Sequence, residues 1–219
     1  MKTTIQDYEG VPAKLEEFAR KHARQLMEVI ADPDLQKLLA DLGGLLDSIG
    51  QLPVFSVITA PFAIEGFFFM KKLRRFLSSC ELVSAKDRLR FIDNLEKERK
   101  CKRVGEITFM ILQKLDEEVK ATLLGNMFQA YIKGLMDFVT FRRLSDALIR
   151  IMTYNLTSLM DYYNDKNIPT EALQDIAICG LAKLPSGGMW FTDGKSDGSS
   201  KTDLGYQFVK MTKLGEELK

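Results

Sequence analysis

Histidine is almost missing from this chain, with His22 the single example in 219 residues. Three cysteines, Cys80, Cys101 and Cys179, stand at spacings that match no zinc or redox motif. Imidazole chemistry and His/Cys metal binding are therefore poorly supplied, His22 reads as a structural imidazole, and no cofactor is expected. Thiols without a disulfide framework fit a reducing compartment, where cysteine behaves as a small hydrophobe. An excess of one charge is missing as well, because 31 basic residues nearly cancel 30 acidic ones. No global field draws the chain to nucleic acid or to anionic lipid, so any such attraction is local. The phosphate-loop, dinucleotide and nucleophile-elbow patterns do not occur. Turn geometry accounts for Gly187-Gly188 and Gly194, and Trp190 reads as a packing anchor. Acid pairs such as Glu117 and Glu118 belong to ordinary polar helix faces. The chain is read as not an enzyme. Its opening MKTTIQDYEG carries acids and no apolar stretch, so it is not expected to be a secretory signal, and a cytoplasmic location is expected.

Long apolar runs are also scarce, and the exception organises the chain. Leu52 to Arg75, LPVFSVITAPFAIEGFFFMKKLRR, has about the length a bilayer demands, roughly 20 residues, and closes on Lys71, Lys72, Arg74 and Arg75. About −0.5 kcal/mol for each of roughly ten large apolar residues is offset by up to roughly +3 for Glu65 and by further costs at Pro61, Ser56 and Thr59. Insertion is thus near balance. From Phe62 onward, Phe62, Gly66, Phe69, Leu73, Phe76, Leu77 and Cys80 follow helical spacing, as a buried face does. Ile64, Phe67 and Phe68 fall off that stripe and need a second apolar surface: other helices of the chain, a partner or lipid. Burial within a central hairpin is the favoured expectation, and it implies that Phe68→Asp unfolds the protein.

The remainder reads as helix. Val11 to Ala31 shows the i, i+3, i+4 rhythm, and Asp32-Pro33 opens a second helix running to about Gly50, with Gly43-Gly44 inside it. Ser84 and Asp87 resemble a capping box at the head of DRLRFIDNLEKE. Val104, Ile107, Ile111 and Leu115 form one stripe, and Val119, Leu123, Leu124, Met127, Phe128, Tyr131 and Leu135 form another, which Gly134 helps to end. A single helix from Thr140 to Tyr163 is predicted from Leu144, Leu148, Ile151, Met152, Leu156 and Leu159. Short connections imply antiparallel neighbours. Pro169-Thr170-Glu171 starts a further helix, LAKLPSGGMWF and GYQFVKM are predicted as two strands around a polar loop, and MTKLGEELK begins a terminal helix.

That last succession resembles the second half of a winged-helix domain. In the resemblance Gly180-Leu181 begins the wing, Lys195 and Lys201 lie in it, and Thr212-Lys213-Leu214-Gly215 closes it. Over the whole chain, the proline-interrupted apolar stretch, KLRRFL, the block ending AYIKGLMDFVTFRRL and this tail resemble bacterial proteins of the abortive-infection alpha group. The resemblance implies a bacterial cytoplasmic protein linked to phage defence, with no defined chemistry. The expected fold is mainly α: an antiparallel helical bundle with a small winged-helix-like β-hairpin module at the C-terminus. Expected divisions are 1–80, 81–165 and 166–219.

Three functions compete. The first, preferred, is a non-enzymatic helical interaction protein that acts through protein contacts or self-association. The second is a membrane-associating effector, peripheral to the inner membrane, with Phe67 to Phe69 as the wedge and Lys71, Lys72, Arg74 and Arg75 on headgroups. The third is a nucleic-acid binder using wing contacts at Lys195 and Lys201. Against the third, the groove-facing helix would be TEALQDIAIC, which carries Glu171 and Asp175 and no cation.

Overall fold

A computed structural model describes residues 23–41, 61–184 and 199–217, with side chains from Phe68 onward in the middle stretch. His22, Gly43-Gly44, residues 42–60, Phe62, Phe67, Trp190, Gly194 and Lys195 therefore lie outside the described positions or side chains. In chain order the elements are α1 (23–31), α2 (35–41), α3 (Pro61–Glu81), α4 (Ala85–Lys97), α5 (Cys101–Lys114), α6 (Glu118–Ile132), α7 (Phe138–Arg150), α8 (Asn155–Tyr163), α9 (Thr170–Ile178), β1 (Ala182–Lys183), β2 (Ser200–Lys201), α10 (Asp203–Thr212) and α11 (Leu214–Glu217). The fold is mainly helical with a two-stranded antiparallel sheet near the C-terminus, as expected. It divides into two compact units, Met1–Lys114 and Leu115–Lys219.

In the first unit α3 runs unbroken past residue 80 and packs on α5, with the Phe69 and Phe109 rings 4.8 Å apart. Phe76, Leu77 and Cys80 are buried, as their spacing predicts, while Phe69 and Leu73 are half-buried. Ser84 caps α4 by accepting from the Asp87 N–H at 3.2 Å. One turn on, the buried Arg88 guanidinium donates to the carbonyls of Ile30 at 2.8 Å, Asp32 at 2.8 Å and Val83 at 2.5 Å. It thereby satisfies the orphan carbonyls where α1 and α3 end, and places a cation at their negative poles. Gly105 lets α1 approach α5, since a Cβ there would lie 2.4 Å from the Ala23 carbonyl oxygen. That approach turns α5 toward Val104, Gly105 and Thr108, so Ile107 of the predicted stripe is only half-buried.

The second unit is built around α6, buried at every position from Lys120 to Ala130 except Thr122. α7, α10 and α11 all pack against it. Asn126 ties the far ends together, donating to the Thr212 carbonyl at 3.0 Å and to Glu217 Oε1 at 2.8 Å. Two predictions fail here. The helix expected over Thr140–Tyr163 breaks at Ile151, which is extended (ψ 133°), and α8 starts afresh at Asn155. The physical reason is tertiary: buried Lys120 reaches across from α6 to the Ile151 carbonyl at 2.5 Å, with its charge also paired to Asp116 at 2.7 Å. Met152, on the predicted stripe, is consequently exposed.

The second failure is GYQFVKM, predicted as a strand and found inside α10. The alternation Tyr206, Phe208 suggested period two, but Thr202 N-caps the segment through the Gly205 N–H at 3.0 Å. Gly205, Phe208 and Thr212 then form a buried helical face. A Cβ on Gly205 would fall 1.8 Å from the Tyr163 hydroxyl and 2.4 Å from the Leu181 carbonyl oxygen, so that face admits only glycine. The strand partner of β1 is instead Ser200–Lys201, paired Ala182 to Lys201.

Candidate functional site

The buried charged groups among the described residues, Lys120 and Arg88, are already committed to the fold. Both serve helix ends. All three thiols are buried: desolvation raises Cys80 and Cys179, and pushes Cys101 up to about 11 with help from a hydrogen bond to Glu96. Such thiols stay protonated near neutrality and make poor nucleophiles. Among the described residues no His, Cys, Asp and Glu cluster could hold a metal ion, and no helix is long and apolar enough to cross a membrane.

Of the residues singled out on α3, Phe68 is 55% exposed, Lys71 and Lys72 are half-buried, and Arg74 and Arg75 are exposed. Lys72 donates to the Gln113 carbonyl at 3.3 Å, in the last turn of α5 where a cation suits the helix dipole. The expected burial of Phe68 is thereby corrected. A carboxylate at that position would reach water, so Phe68→Asp is not an unfolding substitution.

Lys201 sits on β2, half-buried, where its ammonium contacts the Asp165 carboxylate and donates to the Tyr163 carbonyl at 3.2 Å. It also lies 6.0 Å from the Tyr162 ring centroid and 5.8 Å from that of Tyr163. The Asp165 hydrogen bond holds its pKa above the ordinary lysine value, against partial desolvation. Lys201 lines a polar cavity of about 510 Å³ with Tyr162, Asp165, Lys166, Ser199 and Tyr206. Cations and a carboxylate mix there, so the cavity presents no field of one sign.

The apolar counterpart lies on the other side of Tyr206. Leu135, Met136, Thr140, Tyr206, Lys210 and Met211 line a groove of about 320 Å³ between the α6–α7 corner and α10. The corner is fixed by two helix caps. Gly134 (φ 69°) closes α6 in a left-handed cap, with the Leu135 N–H donating to the Ala130 carbonyl at 2.9 Å and the Gly134 N–H to that of Tyr131 at 3.0 Å. Asp137 then caps α7 through the Thr140 N–H at 2.7 Å, which lowers its own pKa. Beneath the turn, Phe128, Tyr131, Phe138 and Phe141 form a ring cluster with centroids 5.5 to 6.3 Å apart. On this platform Leu135 and Val139 are each 65% exposed and Tyr206 is 53% exposed.

Helical spacing places Leu135 on the buried stripe of α6, and the structure exposes it. Gly134 shows only that the spacing stops applying there, because the chain reverses; it does not say whether the next residue is covered. No family model, curated protein or solved structure matches the chain.

Proposed function

We propose that this protein works by contact rather than by chemistry, as a helical interaction protein of a bacterial cell, with the phage-defence setting that its sequence resemblance implies. The observation that carries the reading is the groove beside Leu135: large apolar side chains held in the open at a corner closed by two helix caps. An exposed apolar cluster of this kind on a folded domain is often a contact site. The order α8, α9, β1, β2, α10 supports a winged-helix-like tail used for protein contact. DNA reading is disfavoured, because α9 carries no cation and Lys201 is held by Asp165.

Phage plating on a bacterial host that carries variants of the chain tests this. Leu135→Ser and Val139→Ser should abolish protection without changing protein level, whereas Asp165→Asn and Lys166→Ala, in the polar cavity, should keep it. The reverse pattern, or turnover of a small molecule lost in Asp165→Asn, would replace the reading with a small-molecule site. Equal plating with and without the wild-type gene would remove the phage-defence setting.

A second reading rests on Phe68, more than half exposed on the same helix as Arg74 and Arg75. An aromatic beside cations fits the surface of an anionic membrane. Sedimentation with anionic liposomes, compared between the wild type and Arg74→Glu, decides it: no co-sedimentation of the wild type ends the membrane reading.

A further inference from the structure

We infer that the groove between the α6–α7 corner and α10 receives an acidic amphipathic helix from a protein partner. This rests on the contact reading above and names the chemistry of the contact.

The first ground is the Leu135 side chain. In a glycine-closed helix end, the residue after the glycine commonly packs back on the helix it has just left. The same cap ends α9, where Gly180 has φ 79° and the Leu181 N–H donates to the Ile176 carbonyl at 3.1 Å. Leu181 there is fully buried, while Leu135 is 65% exposed. With the cap geometry the same, Leu135 is an apolar anchor without a socket of its own. Its neighbours Met136 and Met211 supply unbranched, polarisable side chains that adapt to an inserted apolar ridge, as helix-binding grooves do.

Charge selects the occupant. Lys133 lies two residues before Leu135, Arg143 one turn beyond Thr140, and Lys210 in the groove wall; all three are exposed. None of them forms an ion pair among the described residues. The nearby acid, Asp137, keeps its charge while it caps α7, so three cations stand against one carboxylate, and Asp203 stands at the end of α10 opposite Lys210. An apolar groove with unpaired cations on its rim complements a helix with an apolar ridge and acidic flanks. A second copy of the chain is a poor fit: an isologous contact through this face would set the patch of Lys133, Arg143 and Lys210 against the same three cations of the other copy.

The test is selection of displayed helical peptides of about 16 residues, roughly four turns, on the full chain, with counter-selection on Leu135→Ser. Winning peptides should carry apolar residues at i, i+3 or i+4 and i+7, with net negative charge. Their affinity should fall about tenfold or more in the double variant Arg143→Glu, Lys210→Glu, and should weaken as salt rises. Enrichment of basic or neutral peptides, winners indifferent to Leu135→Ser, or no enrichment at all would overturn the proposal. So would a wild-type dimer in sedimentation that Leu135→Ser converts to monomer. The broader contact reading fails separately, on phage plating: if Leu135→Ser leaves protection intact, peptide binding at the groove has no functional weight.

Discussion

At the end of α6 the chain passes through Gly134 to Leu135, and at the end of α9 through Gly180 to Leu181. Both glycines are left-handed and both leucine N–H groups return to a carbonyl five residues back. The caps are alike; the surroundings are not. Leu181 leads into β1, which packs on α9, and its carbonyl accepts from the Tyr163 hydroxyl at 2.6 Å. Leu135 leads into a second cap, at Asp137, and its side chain remains on the surface. Leaving it there forgoes much of the roughly 1.5–3 kcal/mol that burying a leucine contributes. A backbone motif thus fixes where the chain turns, and the next element decides whether the leucine is core or contact.

The largest difference should appear on truncating the buried member. Leu181→Ala is expected to cost about 2–5 kcal/mol, which lowers the melting temperature by roughly 10 °C or more in a unit of this size. Should the loss stay below about 1 kcal/mol in urea titration, the two helix ends would not differ as described. Gly205→Ala attacks the same junction from the other side. Its Cβ would meet the Tyr163 hydroxyl and the Leu181 carbonyl oxygen, and the carbonyl is backbone that cannot swing aside. A loss of about 3 kcal/mol is expected, at the upper end for overpacking. Thermal melts of Gly205→Ala with and without Tyr163→Phe check the cause, since removing the hydroxyl should restore part of the loss.

Smaller and nearly equal effects are expected at the glycines. Gly134→Ala places a Cβ in open space and Gly180→Ala places one 3.7 Å from Leu204 Cδ2, so neither clashes. What remains is left-handed backbone strain, about 1–2 kcal/mol at each site. Matched urea titrations should therefore agree to within about 0.5 kcal/mol. A large difference would mean that the caps themselves, and not their surroundings, separate the two ends.

The sequence was legible wherever a local interaction decides. Ser84 with Asp87, Pro169 before Thr170, and Gly134 after the α6 stripe all mark helix ends where the structure has them. It misled wherever a distant group decides. The Ile151 break depends on an ammonium 31 residues earlier. α10 is the exception: its Thr202 cap is local, and the alternation of Tyr206 and Phe208 masked it. The site was hidden for the same reason as the Ile151 break. Leu135 has stripe spacing, and nothing local states that α10 stops short of covering it. Lys210 looks like one more solvated cation until α10 brings it beside Thr140 and Met136. The α3 patch was legible as composition, yet the exposure of Phe68 follows from packing on α5, which composition does not encode.

The smallest effect on stability is expected at Leu135 itself. Were its side chain folded against Ala130 in solution, as at an ordinary cap of this kind, Leu135→Ser would remove that contact and cost about 1 kcal/mol or more. With the side chain in water, the loss should stay within about 0.5 kcal/mol, and the slope of the urea titration should not change. Leu181→Ser is the matched control, because it sets a hydroxyl among groups that make no bond to it and opens a cavity, for a cost of at least about 3 kcal/mol. The two serine variants together separate position from chemistry, since the residue removed and the residue gained are the same. If both lose the same stability, Leu135 belongs to the core, and the groove is a feature of packing rather than a surface kept open for a partner.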